Sequence, residues 1–258
     1  ESATTAFAPG LLDAQTVAFI TSSLPLDIFW HAMKQGSLHK SQRKWREIEA
    51  RLDELFDWQS FEKEILPAIG PQAAVWLQLP NKPGTEISLP YLNLSLRLAP
   101  KPDFEKPLEK LWKFFQDSQV SRNIKRSVQT VSGQKFYQLN FKNTPVDNLL
   151  NPSYAFTTQG LILSSQTDGL RNLFAILKGA QESQPVYFYA YVHFARLGEL
   201  INANLAFLEK KAQENNKPFE MQKVKLFLEF LAHFQSLNLS VRDDGKYEVL
   251  EARIQIAK

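Results

Sequence analysis

The stretch FEKEILPAIGPQAAVWLQL, which runs from Phe61 to Leu79, changes from a helical to an extended hydrophobic pattern within a few residues. Phe61, Ile65 and Ile69 recur at the spacing of one helix face, and a proline and a Gly-Pro pair then break that pattern. The apolar run from Ala73 to Leu79 is long enough to cross a sheet. The stretch therefore predicts a helix, a turn at Gly70-Pro71 and then a strand, and none of its side chains forms a chemical motif by itself.

Alternating sequences elsewhere in the chain predict strands that pair antiparallel. Residues 91–98, YLNLSLRL, alternate strictly and place four leucines on one face. The turn signals Ser132-Gly133, Gln159-Gly160 and Asp243-Asp244-Gly245 each separate two extended segments and indicate hairpins. Strands are also expected at 15–23 and 186–192.

Hydrophobic residues at helical spacing predict helices between these strands. The expected ranges are 26–35, 40–56, a segment that begins near Asp103, 168–177, 194–211 and 219–234. Together these elements predict an α+β fold in which helices pack on the faces of an antiparallel sheet.

The order strand, helices, strand, strand occurs twice, at 15–98 and again at 186–256. This order favours a duplicated unit whose second copy is shorter, an inference from element order alone. We accordingly expect residues 1–14 to be a linker that follows a removed signal or anchor. Residues 15–180 are expected to form a first α+β unit, and residues 181–258 a second, shorter α+β unit packed on the first.

Composition limits the chemistry that the chain can perform. It has no cysteine, which excludes disulfides, thiolate metal sites and cysteine nucleophiles. The net charge of +3 is too small an excess to indicate a polyanionic partner, so we expect no nucleic-acid binding. No apolar run reaches about 18 residues, so attachment to a membrane is expected only through a segment upstream of Glu1.

The sequence lacks the spacings that mark common catalytic sites. The four histidines, His31, His39, His193 and His233, lie far apart and none belongs to a metal-binding HExxH motif. The serine-hydrolase elbow, the P-loop and the dinucleotide-binding glycine motif are also missing. We therefore expect no catalytic residues, no metal ligands and no cofactor, and a role other than catalysis.

A surplus of aromatic residues in the last third of the chain is the most suggestive feature. The side chains of interest are Phe188, Phe207, Phe227 and Phe230. One interpretation, which the apolar character of both faces favours, buries them between packed elements. The other makes them a surface or cavity for a protein partner or a hydrophobic small molecule.

Four segments in succession resemble a known family. They are FEKEILPAIGPQAAVWL, LPYLNLSLRLAPKPDFEKPLEKLW, SGQKFYQLNF and YAFTTQGLILSSQTDGLRNLF. The succession resembles an uncharacterised bacterial family, a domain of unknown function common in cyanobacteria, whose members look like exported proteins held by an N-terminal membrane anchor. The resemblance covers most of 15–178 and implies a location in the periplasm or thylakoid lumen, and it supplies no catalytic residues.

Three functional hypotheses follow, in order of preference. The first is a non-enzymatic, exported envelope or interaction module. The second is a carrier that holds a lipid or another hydrophobic ligand among the four aromatic residues. The third is an enzyme whose site escapes motif analysis, which would show as a polar pocket with strongly shifted carboxylates or histidines.

Overall fold

The structure is a computed structural model. It describes residues 5–6, 12–23, 26–36, 42–80, 87–98, 104–116, 123–131, 133–142, 150–158, 160–179, 185–215, 218–243, 246 and 248–257. Every statement below concerns these residues. His39, one of the four histidines considered above, lies outside the described ranges.

Strands and helices are numbered in chain order. The strands are β1 Thr5–Ala6, β2 Thr16–Ser22, β3 Ile69–Gln78, β4 Tyr91–Leu98, β5 Ile124–Val131, β6 Gln134–Phe141, β7 Ser153–Thr157, β8 Gly160–Ser164, β9 Pro185–Val186, β10 Phe188–His193, β11 Phe234–Asp243 and β12 Glu248–Ile256. The α-helices are α1 Leu26–Gly36, α2 Gln42–Leu55, α3 Glu105–Gln116, α4 Thr167–Gly179, α5 Phe194–Glu214 and α6 Met221–Ala232.

Ten of the described strands form one antiparallel sheet with helices packed on it, which confirms the predicted α+β class. Their order across the sheet is β12-β11-β10-β2-β3-β4-β8-β7-β6-β5. The short strands β1 and β9 pair with each other outside this sheet. The predicted hairpins β5-β6 and β11-β12 are antiparallel as expected.

The sheet order agrees with the repeat that the element order suggested. The succession β2, α1, α2, β3, β4 has the same element order as β10, α5, α6, β11, β12. In the sheet, β2-β3-β4 and β10-β11-β12 run outward in opposite directions from the adjacent strands β2 and β10. Those two strands pair antiparallel, with Ile20 opposite Ala190. The duplication itself stays a prediction from element order.

The chain contacts group into two compact units, each assembled from separate segments. The first unit contains Glu1–Ser22, Ala74–Leu94 and Ser164–Lys258, and the second contains Ser23–Ala73 and Ser95–Leu163. These boundaries differ from the continuous ranges 15–180 and 181–258 expected from element order. Strands β3 and β4 contribute residues to both units.

The stretch that joins helix and strand departs from the prediction in its local geometry. Residues Phe61–Ile65 form a π-helical turn and Leu66–Ala68 form a 3-10 turn, whereas an α-helix was expected to continue to residue 69. Both Glu64 and Ile65 donate their N–H groups to the carbonyl of Ser60, at 2.8 and 3.3 Å. Proline 67 has no N–H to donate, so an α-helical bond cannot form there.

The Gly-Pro pair at 70 and 71 is part of a strand, because β3 already begins at Ile69. The prediction of a turn at this pair was therefore wrong. A Cβ atom on Gly70 would lie 3.3 Å from both the Cγ atom and the carbonyl oxygen of Arg97. The missing side chain of glycine leaves room for this close approach.

The core of the first unit includes alternate residues of β2 from Val17 onward. Val17 and Phe19 are fully buried, whereas Ile20 on the opposite face is 49% exposed. The ring of Phe19 lies 4.9 Å from that of Trp76 and 6.1 Å from that of Tyr189. Each of three strands thus contributes one aromatic ring to the same covered face of the sheet.

A chain of polar side chains continues this buried face. Asp13 accepts hydrogen bonds from the Thr16 hydroxyl at 2.6 Å and from the Gln78 amide at 2.9 Å. Gln78 in turn accepts a bond from the Asn93 amide at 2.6 Å, and both amide side chains are fully buried. The Asn93 oxygen, Oδ1, has no hydrogen-bond partner among the described residues.

Gly169 lets helix α4 approach Asn93 closely. A Cβ atom at Gly169 would lie 2.9 Å from both the Asn93 Oδ1 and the Tyr91 Cβ, and within contact distance of the Ser164 hydroxyl. Side-chain atoms of Asn93, Tyr91 and Ser164 therefore occupy the space that a side chain at position 169 would need. The match of Asn93-Leu94-Ser95 to a glycosylation site is accidental in the folded protein, because Asn93 is buried.

The second unit has an aromatic core of its own. Trp30 on α1 lies 5.2 Å from Trp45 on α2 and 5.1 Å from Phe61 in the π-helical turn, measured between ring centroids. Phe56 continues the cluster toward Phe61 and Phe104, at 6.1 and 5.9 Å. The amphipathic face predicted for α2 thus packs against aromatic rings.

We expect Gly169→Ala to destabilise the protein by about 1–3 kcal/mol, because the added methyl group overlaps Asn93, Tyr91 and Ser164. Helix propensity alone predicts the opposite sign. The matched control is Gly198→Ala on α5, where the nearest atom, Leu228 Cδ2, is 3.8 Å from the added Cβ, and we expect stabilisation by about 0.5–1 kcal/mol. Urea unfolding of both variants measures the two signs, and stabilisation by both would contradict the close approach.

Candidate functional site

The structure separates the four aromatic residues that the sequence singled out. Phe188 on β10 and Phe207 on α5 are half-buried, and the ammonium of Lys211 lies 5.8 Å from the Phe207 ring. Phe227 and Phe230 on α6 are 48% and 57% exposed. None of the ring contacts found in the described part of the chain joins two of these four residues.

Helix α6 therefore has an apolar side that faces solvent. The helix packs inward through Val224, Leu228 and Leu231, of which Leu231 is 4% exposed. Three large apolar side chains next to this packed side remain exposed: Leu226, Phe227 and Phe230, with 58%, 48% and 57% of their surface exposed. We call these three residues the α6 patch. Their spacing of three and four places them next to one another on the helix.

The α6 patch is anchored at one end by further aromatic residues. The ring of Phe230 lies 5.1 Å from that of Phe234 at the start of β11, and Phe234 lies 5.7 Å from Phe194 at the start of α5. Phe230 therefore packs against one aromatic ring while more than half of its surface, 57%, stays exposed. The core interpretation favoured by the sequence does not describe the α6 patch.

A polar and aromatic cluster in the second unit joins α3 to the sheet. The guanidinium of Arg126 makes two hydrogen bonds to the Glu109 carboxylate, each 2.8 Å long. It also lies 5.2 Å from the Trp112 ring and 5.3 Å from the Tyr137 ring. Tyr137 stacks on Tyr154 with ring centroids 4.8 Å apart.

Each charge in this cluster already has a partner. The Arg126 side chain is only 15% exposed, and its hydrogen bonds lower the pKa of Glu109 below the ordinary value. Burial, followed by the 2.7 Å hydrogen bond to Glu105, raises the pKa of Tyr137 to about 12. Because the two oxygens of the Glu109 carboxylate occupy both arms of the guanidinium, the cluster attaches α3 to β5 and β6 and offers no open anion site.

A second charged cluster joins α1, α2 and the π-helical turn. The Lys34 ammonium lies 2.5 Å from Glu49 and 2.9 Å from Glu62, and His31 lies 3.2 Å from Glu62. The hydrogen bond from Lys34 is the largest cause of the lowered pKa of Glu62. A carboxylate with a lowered pKa is ionised over a wider pH range, which suits an ion pair and not a general acid.

The remaining described histidines have structural positions. At the start of α5, the Nδ1 atom of His193 accepts a hydrogen bond from the Arg196 backbone N–H at 3.4 Å. Burial is the largest cause that lowers the pKa of His193, and the positive charge of Arg196 is the next. His233 follows the end of α6. Within the described ranges, no three His, Cys, Asp or Glu side chains are grouped so that they could hold a metal ion. No described helix is long and apolar enough to span a bilayer.

Two exposed features were not found from the sequence. Trp58 is 75% exposed, with a φ of +65° that is unusual for a tryptophan. On β12, Leu250, Ile254 and Ile256 are 73%, 60% and 71% exposed. The alternation of β12 was visible, but alternation does not reveal which face of a strand is left uncovered.

We expect Glu109→Gln to lower stability by about 1 kcal/mol at neutral pH, a value reduced for the partial exposure of the carboxylate. Because the folded state lowers the pKa of Glu109, the stabilisation is present above the ordinary value of 4.5 and is lost as the pH falls through the lowered pKa. The difference in unfolding free energy between the wild type and Glu109→Gln should therefore become smaller at acidic pH.

The control for that experiment is Glu199→Gln, which removes the exposed ion pair between Glu199 and Arg196. We expect it to change stability by about 0.3 kcal/mol. Urea unfolding over a pH series measures both variants. Equal effects of the two substitutions would contradict the role of the Arg126–Glu109 pair in attaching α3 to the sheet. A loss of stability in Glu109→Gln that does not depend on pH would contradict it as well.

Comparison with known proteins finds little similarity. No protein-family model matches the chain, and no curated protein matches it. Among solved structures, crystal forms I and IV of TP0453 are similar with TM-scores of 0.35 and 0.37 and 8% sequence identity. The alignments cover 97% of this chain and 79% and 81% of those chains. A likeness at this level carries no argument about function.

Proposed function

We propose that the protein is a non-enzymatic interaction module of the bacterial envelope and that it binds a protein partner through the α6 patch. The observation that carries the proposal is the exposure of Leu226, Phe227 and Phe230 side by side on a helix that packs through adjacent side chains. Neighbouring exposed aromatic and aliphatic side chains mark interaction surfaces, because their contact with water is unfavourable. The export of the protein is supported by the family resemblance of residues 15–178.

The carrier hypothesis has less support in the geometry. A carrier needs its apolar side chains to converge on a cavity, whereas none of the described ring contacts links Phe188, Phe207, Phe227 and Phe230 to one another. A lipid bound on the α6 patch would instead lie on the protein surface. The protein partner is therefore the preferred ligand, and a lipid is a distinct outcome of the experiment below.

We expect the double substitution Phe227→Ser and Phe230→Ser to lower the unfolding free energy by only about 1–2 kcal/mol in total, because about half of each ring is already exposed. The matched control is Leu231→Ser on the inward side of the same helix, which should cost at least about 2 kcal/mol. Thermal and urea unfolding measure both. A large loss in the double variant would place the α6 patch in the core and contradict the proposal.

Binding is tested by photo-crosslinking in cells of the native host, with benzoylphenylalanine at position 227 of the full-length protein. The control places it at the exposed Lys225, which projects away from the α6 patch. We expect a discrete protein adduct from position 227 and none from position 225. An adduct with lipid would establish the carrier hypothesis in its place, and equal adducts from both positions or none from either would contradict a binding role for the patch.

A further inference from the structure

The sheet ends in a long strand that is open to pairing. Strand β12 has nine residues, EVLEARIQI, and among the described strands only β11 pairs with it. Edge strands are usually protected by charged side chains, especially lysine, by a proline or by a bulge. The sequence of β12 contains neither proline nor lysine, and its charged side chains are Glu248, Glu251 and Arg253. Its register with β11 shifts between Phe234 and Ser236 and is regular from Ser236 opposite Gln255 to Asp243 opposite Glu248.

The backbone groups on the outer side of β12 can be assigned from its neighbours. The carbonyl of Val241 accepts the Tyr187 N–H at 2.8 Å on the β10 side of β11. The backbone N–H and C=O groups of the neighbouring residues Ser240 and Arg242 must then point toward β12. There these two residues lie opposite Glu251 and Val249. Odd-numbered residues of β12 therefore bond to β11, and the N–H and C=O groups of even-numbered residues point outward.

A second contact gives the same assignment. Ala257, two residues beyond an odd position of β12, donates its N–H to the carbonyl of His233 at 3.0 Å. The outward-facing backbone groups thus belong to Leu250, Ala252 and Ile254, at the middle of the strand. The side chains of Leu250 and Ile254 are 73% and 60% exposed.

The side chains of β12 are self-complementary about Ala252. When two antiparallel copies of a strand pair with one residue facing itself, each residue faces the one equally far on the other side. With Ala252 at the centre, Glu251 of each copy faces Arg253 of the other, and Leu250 faces Ile254. The charged pairs fall at positions without mutual hydrogen bonds, where opposed side chains are closest.

We infer that β12 pairs with β12 of a second copy of this chain, antiparallel and centred on Ala252, and so joins two sheets into one. Leu250, Ala252 and Ile254 supply the backbone hydrogen bonds. Within one copy Arg253 already contacts the Glu251 carboxylate, at 2.7 Å from Nε and 2.5 Å from Nη2. In the dimer these two side chains exchange that contact for the equivalent one across the interface.

The strand at the other edge of the sheet, β5, does not have self-complementary charges. Strand β5, IKRSVQTV, carries Lys125 and Arg126 and no acidic residue, so pairing of two β5 strands would bring cations together without a counter-charge. Charge complementarity thus selects the β12 edge. It also selects a second copy of the chain as the occupant, since the same strand supplies both halves of each ion pair.

The test is sedimentation equilibrium of the full chain and of single charge reversals at β12. We expect the wild type to form a dimer of twice the 29.6 kDa chain mass. Glu251→Arg and Arg253→Glu should each weaken dimerisation about tenfold or more, because each variant places like charges across the interface. A mixture of the two variants should form a heterodimer, since each then faces the opposite charge.

Two further variants separate edge pairing from loss of folding. Ala252→Pro removes an outward N–H and no bond to β11, so it should abolish the dimer while the cooperative unfolding transition is retained. Lys125→Glu on β5 should leave the dimer unchanged. A monomeric wild type at tens of micromolar, charge reversals that remain dimeric, or a mixture that does not form heterodimers would each overturn the inference.

Discussion

The packing of Phe19 against Trp76 and Tyr189 is the contact on which the first unit depends. It places one ring from each of three strands on the same face, and Phe19 and Trp76 are almost completely removed from water. Because successive side chains of a strand point to opposite faces, burying Phe19 turns Ile20 outward. A slip of one residue would exchange the two faces, so this packing also determines the register of β2 with its neighbours.

The buried polar chain from Asp13 through Gln78 to Asn93 reinforces that register. A buried amide without its hydrogen bond costs more than the bond contributes when formed, so any arrangement that separates Gln78 from Asn93 is penalised. The close approach of α4 at Gly169 depends on the same arrangement. In the second unit, the two hydrogen bonds between Arg126 and Glu109 have the corresponding role for α3.

The proposed interaction surfaces consist of groups that stay exposed after the helices and strands have packed. Helix α6 needs Val224, Leu228 and Leu231 to pack, which leaves the α6 patch in solvent. Strand β12 lies at the end of the sheet, so its outer backbone groups and the side chains of Leu250 and Ile254 have no described neighbour to cover them. The two surfaces differ in kind, since the α6 patch is an apolar helix face and β12 is a strand edge that carries both charged and apolar side chains.

The sequence by itself determined the α+β class, most element positions, the hairpins and the repeated order of strands and helices. These follow from hydrophobic period and turn chemistry, which act over a few residues. It did not determine the inclusion of Gly70 in β3, since this depends on the close approach of Arg97, which is distant in the sequence. The hydrophobic spacing of residues 61–69 also did not distinguish the π-helical turn at Phe61–Ile65 from an α-helix.

Only the tertiary structure decided which apolar residues are core. Phe188 and Phe207 are partly buried, whereas Phe227 and Phe230 are 48% and 57% exposed, although all four lie in apolar stretches of the sequence. The alternation of β4 likewise predicted a leucine face, yet Leu92 is 53% exposed and Asn93 is buried. A periodic pattern identifies two faces, but burial depends on which other element covers each face, and that is a property of contacts between residues far apart in the chain.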